Sequence, residues 1–353
     1  MGIKEYLPHD VINKAILSNY SFKVYNILPI KFKDTDKQRA VYKIETDAGP
    51  KCLKKVYFNE ASLLFVYSVM EWLFNAGINI PTMLPTKHGG RYIKYKNNLF
   101  IVTDWINGRK CDYDIGDDIC AASLNLGKIH KCSYGFIPIE GSFVRKDIPD
   151  WYRTFNRRYL QLLQFYNLAS ALKDDFSKSY LRYFDYFSER AQHAVHIFST
   201  INSKNLIKTT DDFNTICHLD YVNKNIIITD GGKLYVIDFD KCKIDLPVHD
   251  LGVFLKRILK RKNTSWDFNI LMMTLKNYES QRSLSSDELL ALYSFLEFPQ
   301  KYWKISRDYY NNIKECNKKI FNAAIFKICE QKKDHDDFCD RFKLYLNTKY
   351  NVL

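Results

Sequence analysis

Many of the signatures that assign a chain quickly are missing from this one. No two of its 13 glycines stand at G-x-G spacing, and neither G-x-x-x-x-G-K-[ST] nor H-E-x-x-H occurs. That excludes the glycine-rich dinucleotide loop, the P-loop and the zinc-protease helix. The nine cysteines are scattered at 52, 111, 120, 132, 217, 242, 316, 329 and 339 with no C-x-x-C pair. Reduced, partly buried thiols are therefore expected, not a zinc site or a disulfide framework. Charge interrupts the apolar runs well short of the ~20 residues a membrane span needs, and the opening MGIKEYLPHD lacks a basic-then-apolar signal. Synthesis and retention inside the cell, with no membrane partner, are expected.

What is present reads as an ordinary globular chain. Its 353 residues, 46% hydrophobic and 26% charged, suffice for two lobes with a core each. The net charge of +13 fits nucleic acid, anionic surfaces or acidic substrates. Lysine is nevertheless spread along many segments without a nucleic-acid-binding motif, so no specific nucleic acid is expected. The steepest cluster, Lys256 to Lys262, reads as the solvated face of a helix whose other face is Phe254, Leu255, Ile258 and Leu259.

The first hundred residues are strand-rich. Ala40 to Thr46 and Lys51 to Tyr57 flank Asp47-Ala48-Gly49-Pro50, and Arg91 to Tyr95 and Leu99 to Thr103 flank Lys96-Asn97-Asn98, which predicts two hairpins. Between them a helix is expected over Glu60 to Asn75, ended by Ala76-Gly77 and Pro81. Past residue 110 long amphipathic segments predominate, near 117–131, 150–172, 176–203, 248–262, 286–297, 301–318 and 320–347. A small strand-rich lobe over 1–105 and a larger helical lobe over 106–353, with a cleft between them, is the economical architecture.

The densest chemistry lies in residues 216 to 252, ICHLDYVNKNIIITDGGKLYVIDFDKCKIDLPVHDLG. Asn225 follows Asp220 by five residues, and an apolar hairpin (Ile226 to Thr229, Asp230-Gly231-Gly232, Leu234 to Ile237) delivers Asp238 beside both. A carboxylate can orient and deprotonate an acceptor hydroxyl, while an amide oxygen and a second carboxylate can hold Mg²⁺ against ATP phosphates.

His218-Leu219-Asp220 with Asn225, Ile237-Asp238-Phe239-Asp240 and His249-Asp250-Leu251-Gly252 together resemble the aminoglycoside phosphotransferase and choline kinase superfamily. Leu126-Gly127-Lys128-Ile129-His130 and Thr103 to Arg109 extend the likeness upstream, and within the superfamily the chain is similar to the CotS-type spore coat group. The resemblance implies an α+β, bilobal protein-kinase-like fold, with ATP and Mg²⁺ as cofactors. It makes Asp220 the catalytic base, supported by His218 and Asp250, and makes Asn225 and Asp238 the metal ligands. Lys54 falls where the third-strand lysine belongs, with Cys52 on its face and Lys55 as competitor if the register slips by one. The backbone of Asp104 and Ile106 is expected at the adenine edge. Asp240 is placed either at a second metal position or in a structural role.

Two parts depart from the pattern. The loop expected to cover the phosphates, Lys31 to Arg39 (KFKDTDKQR), has no glycine, and Lys31, Lys33, Lys37 and Arg39 are candidates to compensate. The helix glutamate expected to pair with Lys54 falls near Val66 or Ser68, with Glu60 too early and Glu71 too late. Two readings follow from the resemblance. One is a kinase acting on a hydroxyl of a small-molecule, sugar or coat acceptor; the other is a kinase-fold structural protein of the spore coat with other coat proteins as partners. The aromatics Trp151, Tyr152, Phe155, Tyr159, Trp303, Tyr309 and Tyr310 are read first as helix core and second as an acceptor pocket.

Overall fold

A computed structural model describes residues 6–33, 39–146, 150–201, 206 and 214–350. The strand-rich beginning forms one antiparallel sheet of β1 (Val24–Lys33), β2 (Arg39–Thr46), β3 (Lys51–Lys55), β4 (Ile93–Tyr95) and β5 (Asn98–Asp104), in the order β1-β2-β3-β5-β4. Lys96 and Asn97 join β4 to β5 with φ of 46° and 60°, the left-handed two-residue turn whose twist suits a tight hairpin.

Side-chain alternation gives the sheet two apolar faces. Tyr42, Ile44, Leu53, Phe100 and Val102 pack under the short helical turns His9–Val11, Ile12–Ile16 and Leu17–Asn19, through Ile12, Ile16 and Leu17. On the other face Leu99 and Ile101 join Leu63, Phe65, Val66 and Val69 of α1 (Glu60–Asn75), a helix started by the Asn59 side chain accepting from the Ser62 N–H.

The helical remainder comprises α2 (Gly116–Cys132), α3 (Trp151–Leu172), α4 (Asp175–Thr200), α5 (Pro247–Leu259), α6 (Phe268–Glu279), α7 (Ser286–Glu297), α8 (Gln300–Tyr310), α9 (Lys318–Cys329) and α10 (Lys332–Tyr350). Two small sheets interrupt it: β6 (Arg109–Lys110) beside β8 (Ile226–Ile228) and β9 (Leu234–Val236), and β7 (Ile216–Cys217) beside β10 (Lys243–Ile244). The α+β class expected from the sequence is present. Helix α6 was not anticipated, although Asp267 caps it and Leu271, Leu275 and Tyr278 line its buried face. The segment 301–318 stops at Tyr310, and 320–347 divides at Glu330-Gln331, because α9 packs on α4 and α8 while α10 packs on α6 and α7.

Five of the seven aromatics weighed as pocket or core are core: Trp151, Phe155, Trp303, Tyr309 and Tyr310 are buried, Tyr159 is half-buried and Tyr152 is exposed. The cluster from Lys256 to Lys262 departs from expectation. Lys256 is buried, donates to the Phe298 carbonyl at 3.3 Å and sits 4.4 Å from the Phe295 ring centroid, while Lys260 is half-buried. Only part of that basic face is solvated.

Candidate active site

The loop after β7 is built around His218. The Asp220 N–H donates to His218 Nδ1 at 3.1 Å, so Nε2 carries the proton and donates to the Ile237 carbonyl, also at 3.1 Å. Burial, opposed by the charge of Asp250, pushes the imidazole below its ordinary range and keeps it neutral. Asp250, in the first turn of α5, accepts the N–H of His218 at 2.5 Å on Oδ2 and that of Leu219 at 2.7 Å on Oδ1. These bonds hold Leu219 at φ 56°, a left-handed conformation that a leucine adopts only under such constraint.

Asn225 closes the short turn Asn223–Asn225, its Nδ2 donating to the Asp220 carbonyl at 2.9 Å. That commits the amide nitrogen and turns the oxygen to the other side. The Asn225 carbonyl accepts from the Ile237 N–H at 2.9 Å, so the β8–β9 hairpin ends beside the loop and brings Asp238 there. Asp238 lies at φ 69°, ψ 60°, a second strained residue next to the first.

Lys54 reaches this point from β3. Its Nζ lies 2.5 Å from Asp238 Oδ1 and 2.6 Å from Asp240 Oδ1. Burial alone would lower the ammonium, but Asp240 and Asp238 outweigh it and hold it well above the usual range. Conversely, burial would raise the Asp238 carboxyl, and Lys54 holds it well below the usual carboxylate range. The sequence expectation for Lys54 and Cys52 on one face holds, since Lys55 turns to the opposite side and lies 4.7 Å from the Tyr6 ring centroid. The helix glutamate sought near Val66 or Ser68 is replaced by Asp240: Val66 is core, and Ser68 Oγ donates to Leu64 and accepts from the Ile139 N–H.

Further side chains reach the site; of these only Arg39 figured in the sequence reading, as a candidate to compensate for the glycine-free loop. Lys241 Nζ stands 3.3 Å and Lys224 Nζ 3.6 Å from the Asp220 carboxylate. Burial pulls that carboxyl up, but the two lysines hold it below its ordinary value. Arg39 Nη1 approaches Asp240 Oδ2 at 3.6 Å, and Arg145 Nη1 donates to the Asp240 carbonyl at 2.6 Å. Lys224 and Lys241 were visible as neighbours of the motif residues; Arg145, 95 residues from its partner, left no local signal.

Asp104 ends β5 and pairs through Oδ1 with Lys51 Nζ at 2.6 Å, and the Trp105 N–H donates to the Pro50 carbonyl. Ile106 follows, half-buried, and among the described residues its N–H meets no acceptor. The glycine-free loop falls largely on residues 34 to 38, outside the described residues.

His130, Cys217 and Asp250 also bring three potential ligand atoms within 4.8 Å of one another. Both oxygens of Asp250 are already taken by backbone N–H groups, and His130 Nδ1 meets Tyr278 Oη at 2.7 Å. The trio is a buried tie between α2, α5, α6 and the loop. The oxygens beside Lys54 suit a hard cation better: Asp238 and Asp240, whose buried Oδ2 lacks a hydrogen-bond partner among the described residues, with Asn225 on the adjoining loop. These residues fit a divalent ion and the phosphates it would accompany.

The family model described as "Spore coat putative kinase YutH" matches residues 23–342. Spore coat protein S of Bacillus subtilis (strain 168) is 23% identical over 343 residues, covering 96% of each chain. Among solved structures, an aminoglycoside phosphotransferase from Alicyclobacillus acidocaldarius superposes with a TM-score of 0.83 over 98% of both chains, at 17% identity. The amicoumacin kinase hAmiN, crystallised with AMP-PNP, Ca²⁺ and Ami, gives 0.59 over 95% of this chain and 94% of its own, at 15% identity. At such identities these two structures establish the kinase-like phosphotransferase fold.

Proposed function

The chain belongs to the spore coat YutH kinase family, and from that premise we propose that it is a Mg²⁺- and ATP-dependent phosphotransferase of the spore coat, acting on the hydroxyl of a small-molecule, sugar or coat acceptor. The observation that carries this reading is the convergence of Lys54, Asp238, Asn225 and Asp220 from a β3 strand, a strand end and one loop. When bound, Mg²⁺-ATP supplies the transferable γ-phosphoryl group and a metal charge that neutralises it. The protein contributes position and charge. Lys54 would hold phosphate oxygens, Asp238 and the Asn225 amide oxygen would hold the cation, and the Ile106 N–H would meet the adenine edge, with Asp104 beside it. Asp220, kept ionised by Lys241 and Lys224, accepts the acceptor's proton, while His218 and Asp250 fix its backbone.

Thermal stabilisation is the first test, because a ligand that binds only the folded state raises the midpoint. Millimolar Mg²⁺-ATP is expected to raise the wild-type midpoint and to leave Asp238→Ala unmoved; a wild type that does not shift removes the nucleotide reading. In single-turnover labelling, Asp220→Ala is expected to slow product formation about 10²- to 10⁴-fold. Label transferred at the wild-type rate would strip Asp220 of its role as base.

One observation favours a second reading, a kinase-fold scaffold of the coat with little turnover. Lys54 draws both its carboxylates from the Asp238-Phe239-Asp240 segment and occupies the oxygens a cation would need. Nucleotide-dependent stabilisation without labelled product for any acceptor would select it.

A further inference from the structure

A second concave site lies at the far end of α5, away from Asp220. A cavity of about 630 Å³ opens between the end of α5, the α7–α8 junction, the α9–α10 junction and α4. Asp250 marks the active-site end of α5, and Lys260, just past the helix, is ten residues on, about 15 Å at 1.5 Å per residue. Its volume is that of a small-molecule site.

Lys260, Lys262, Lys301, Lys327 and Lys332 all line it. Among the described residues none of the five has a carboxylate within 4.0 Å. Arg261, the sixth cation of the lining, is neutralised by Asp114, and Glu330 is the one acidic residue that lines the cavity. The lysines also feel one another. Burial, then the charges of Lys301 and Arg257, bring Lys260 down to about 8, and burial with Lys327 lowers Lys301. Like charges gathered without a counterion are unfavourable, and a bound anion would relieve the repulsion. Apolar groups complete the wall: Phe187, Trp266, Phe298 and Tyr302 are buried at its edges, and Lys332 lies 4.2 Å from the Tyr186 ring centroid.

We propose that this cavity binds a small organic polyanion carrying two or more phosphate or carboxylate groups, at a site separate from the nucleotide cleft. The volume favours a small ligand over a surface-bound polymer. Lysine favours charge over shape: its ammonium groups are mobile point charges, whereas the planar fork of arginine would select a fixed bidentate geometry.

The test is calorimetric titration of the full chain in Mg²⁺-free, EDTA-containing buffer with tripolyphosphate and, separately, with mellitate, to distinguish phosphate from carboxylate recognition. The variants are the double substitution Lys301→Glu with Lys327→Glu, both at exposed positions, and Asp238→Ala. Far-UV dichroism and the thermal midpoint check that each folds. Binding of at least one anion is expected in the wild type, weakened tenfold or more in the double variant and unchanged in Asp238→Ala. Absence of binding in the wild type, undiminished binding in the double variant, or loss in Asp238→Ala alone would overturn the assignment. Tighter binding of an acidic decapeptide than of either small anion, lost in the same double variant, would replace the small ligand with a protein partner.

Discussion

Asp250 shows how much rests on single carboxylates here. It is fully buried and satisfies two consecutive N–H groups that hold Leu219 in its left-handed conformation. Asp250→Ala leaves both donors without an acceptor and is expected to cost about 3 kcal/mol or more in urea unfolding; a loss under about 1 kcal/mol would mean the loop finds other acceptors. The roles proposed for Asp220, Asn225 and Asp238 were legible because their spacing is local, one loop and one hairpin, and sequence spacing then translates directly into proximity. The partners of Lys54 were not, since Asp238 and Asp240 stand 184 and 186 residues away. An alternation pattern gives the face on which a strand lysine points and is silent about what crosses the cleft to meet it.

Between elements, glycine sets two of the closest approaches. A Cβ on Gly127 of α2 would stand 2.6 Å from the Tyr278 carbonyl oxygen of α6, a backbone atom that cannot rotate aside. Gly127→Ala is accordingly expected to destabilise the protein by about 1–3 kcal/mol, read as a lowered urea midpoint, and a neutral result would show that the two helices separate freely. Gly108 has φ 154°, and its Cβ would lie 2.4 Å from the Ile228 carbonyl oxygen, which is how β6 comes to lie against β8. Most helices were legible from apolar periodicity. The division of 320–347 into α9 and α10 was not, because the two halves share one periodicity and separate only by packing against different neighbours.

For the molecule as a whole, buried neutral histidines add to the loss of stability on the acid side. Burial, partly offset by a hydrogen bond to the Leu296 carbonyl, pushes His335 down to about 3, and His130 and His218 are lowered in the same direction. The unfolded chain takes up these protons as pH falls below about 6.5, while the folded chain refuses the one at His335 until about 3. His335 is therefore expected to lower stability on acidification through that window by about 1.4 kcal/mol per pH unit, with His130 and His218 acting in the same direction. Thermal midpoints between pH 7 and pH 5 should decline less in His335→Gln than in the wild type, and equal slopes would exonerate His335. The salt bridges at Lys54 have another consequence at this scale. That site holds its own counterions, so the proposed entry of a nucleotide with its divalent ion would be an ion exchange, each internal partner traded for an external one. Because Lys54 and its carboxylates would exchange partners within the site, affinity there should depend less on added KCl than at an unpaired cluster. At the five lysines below α5, none of which has a carboxylate within 4.0 Å among the described residues, an anion displaces chiefly ions from solution, and its binding should weaken steeply as salt rises.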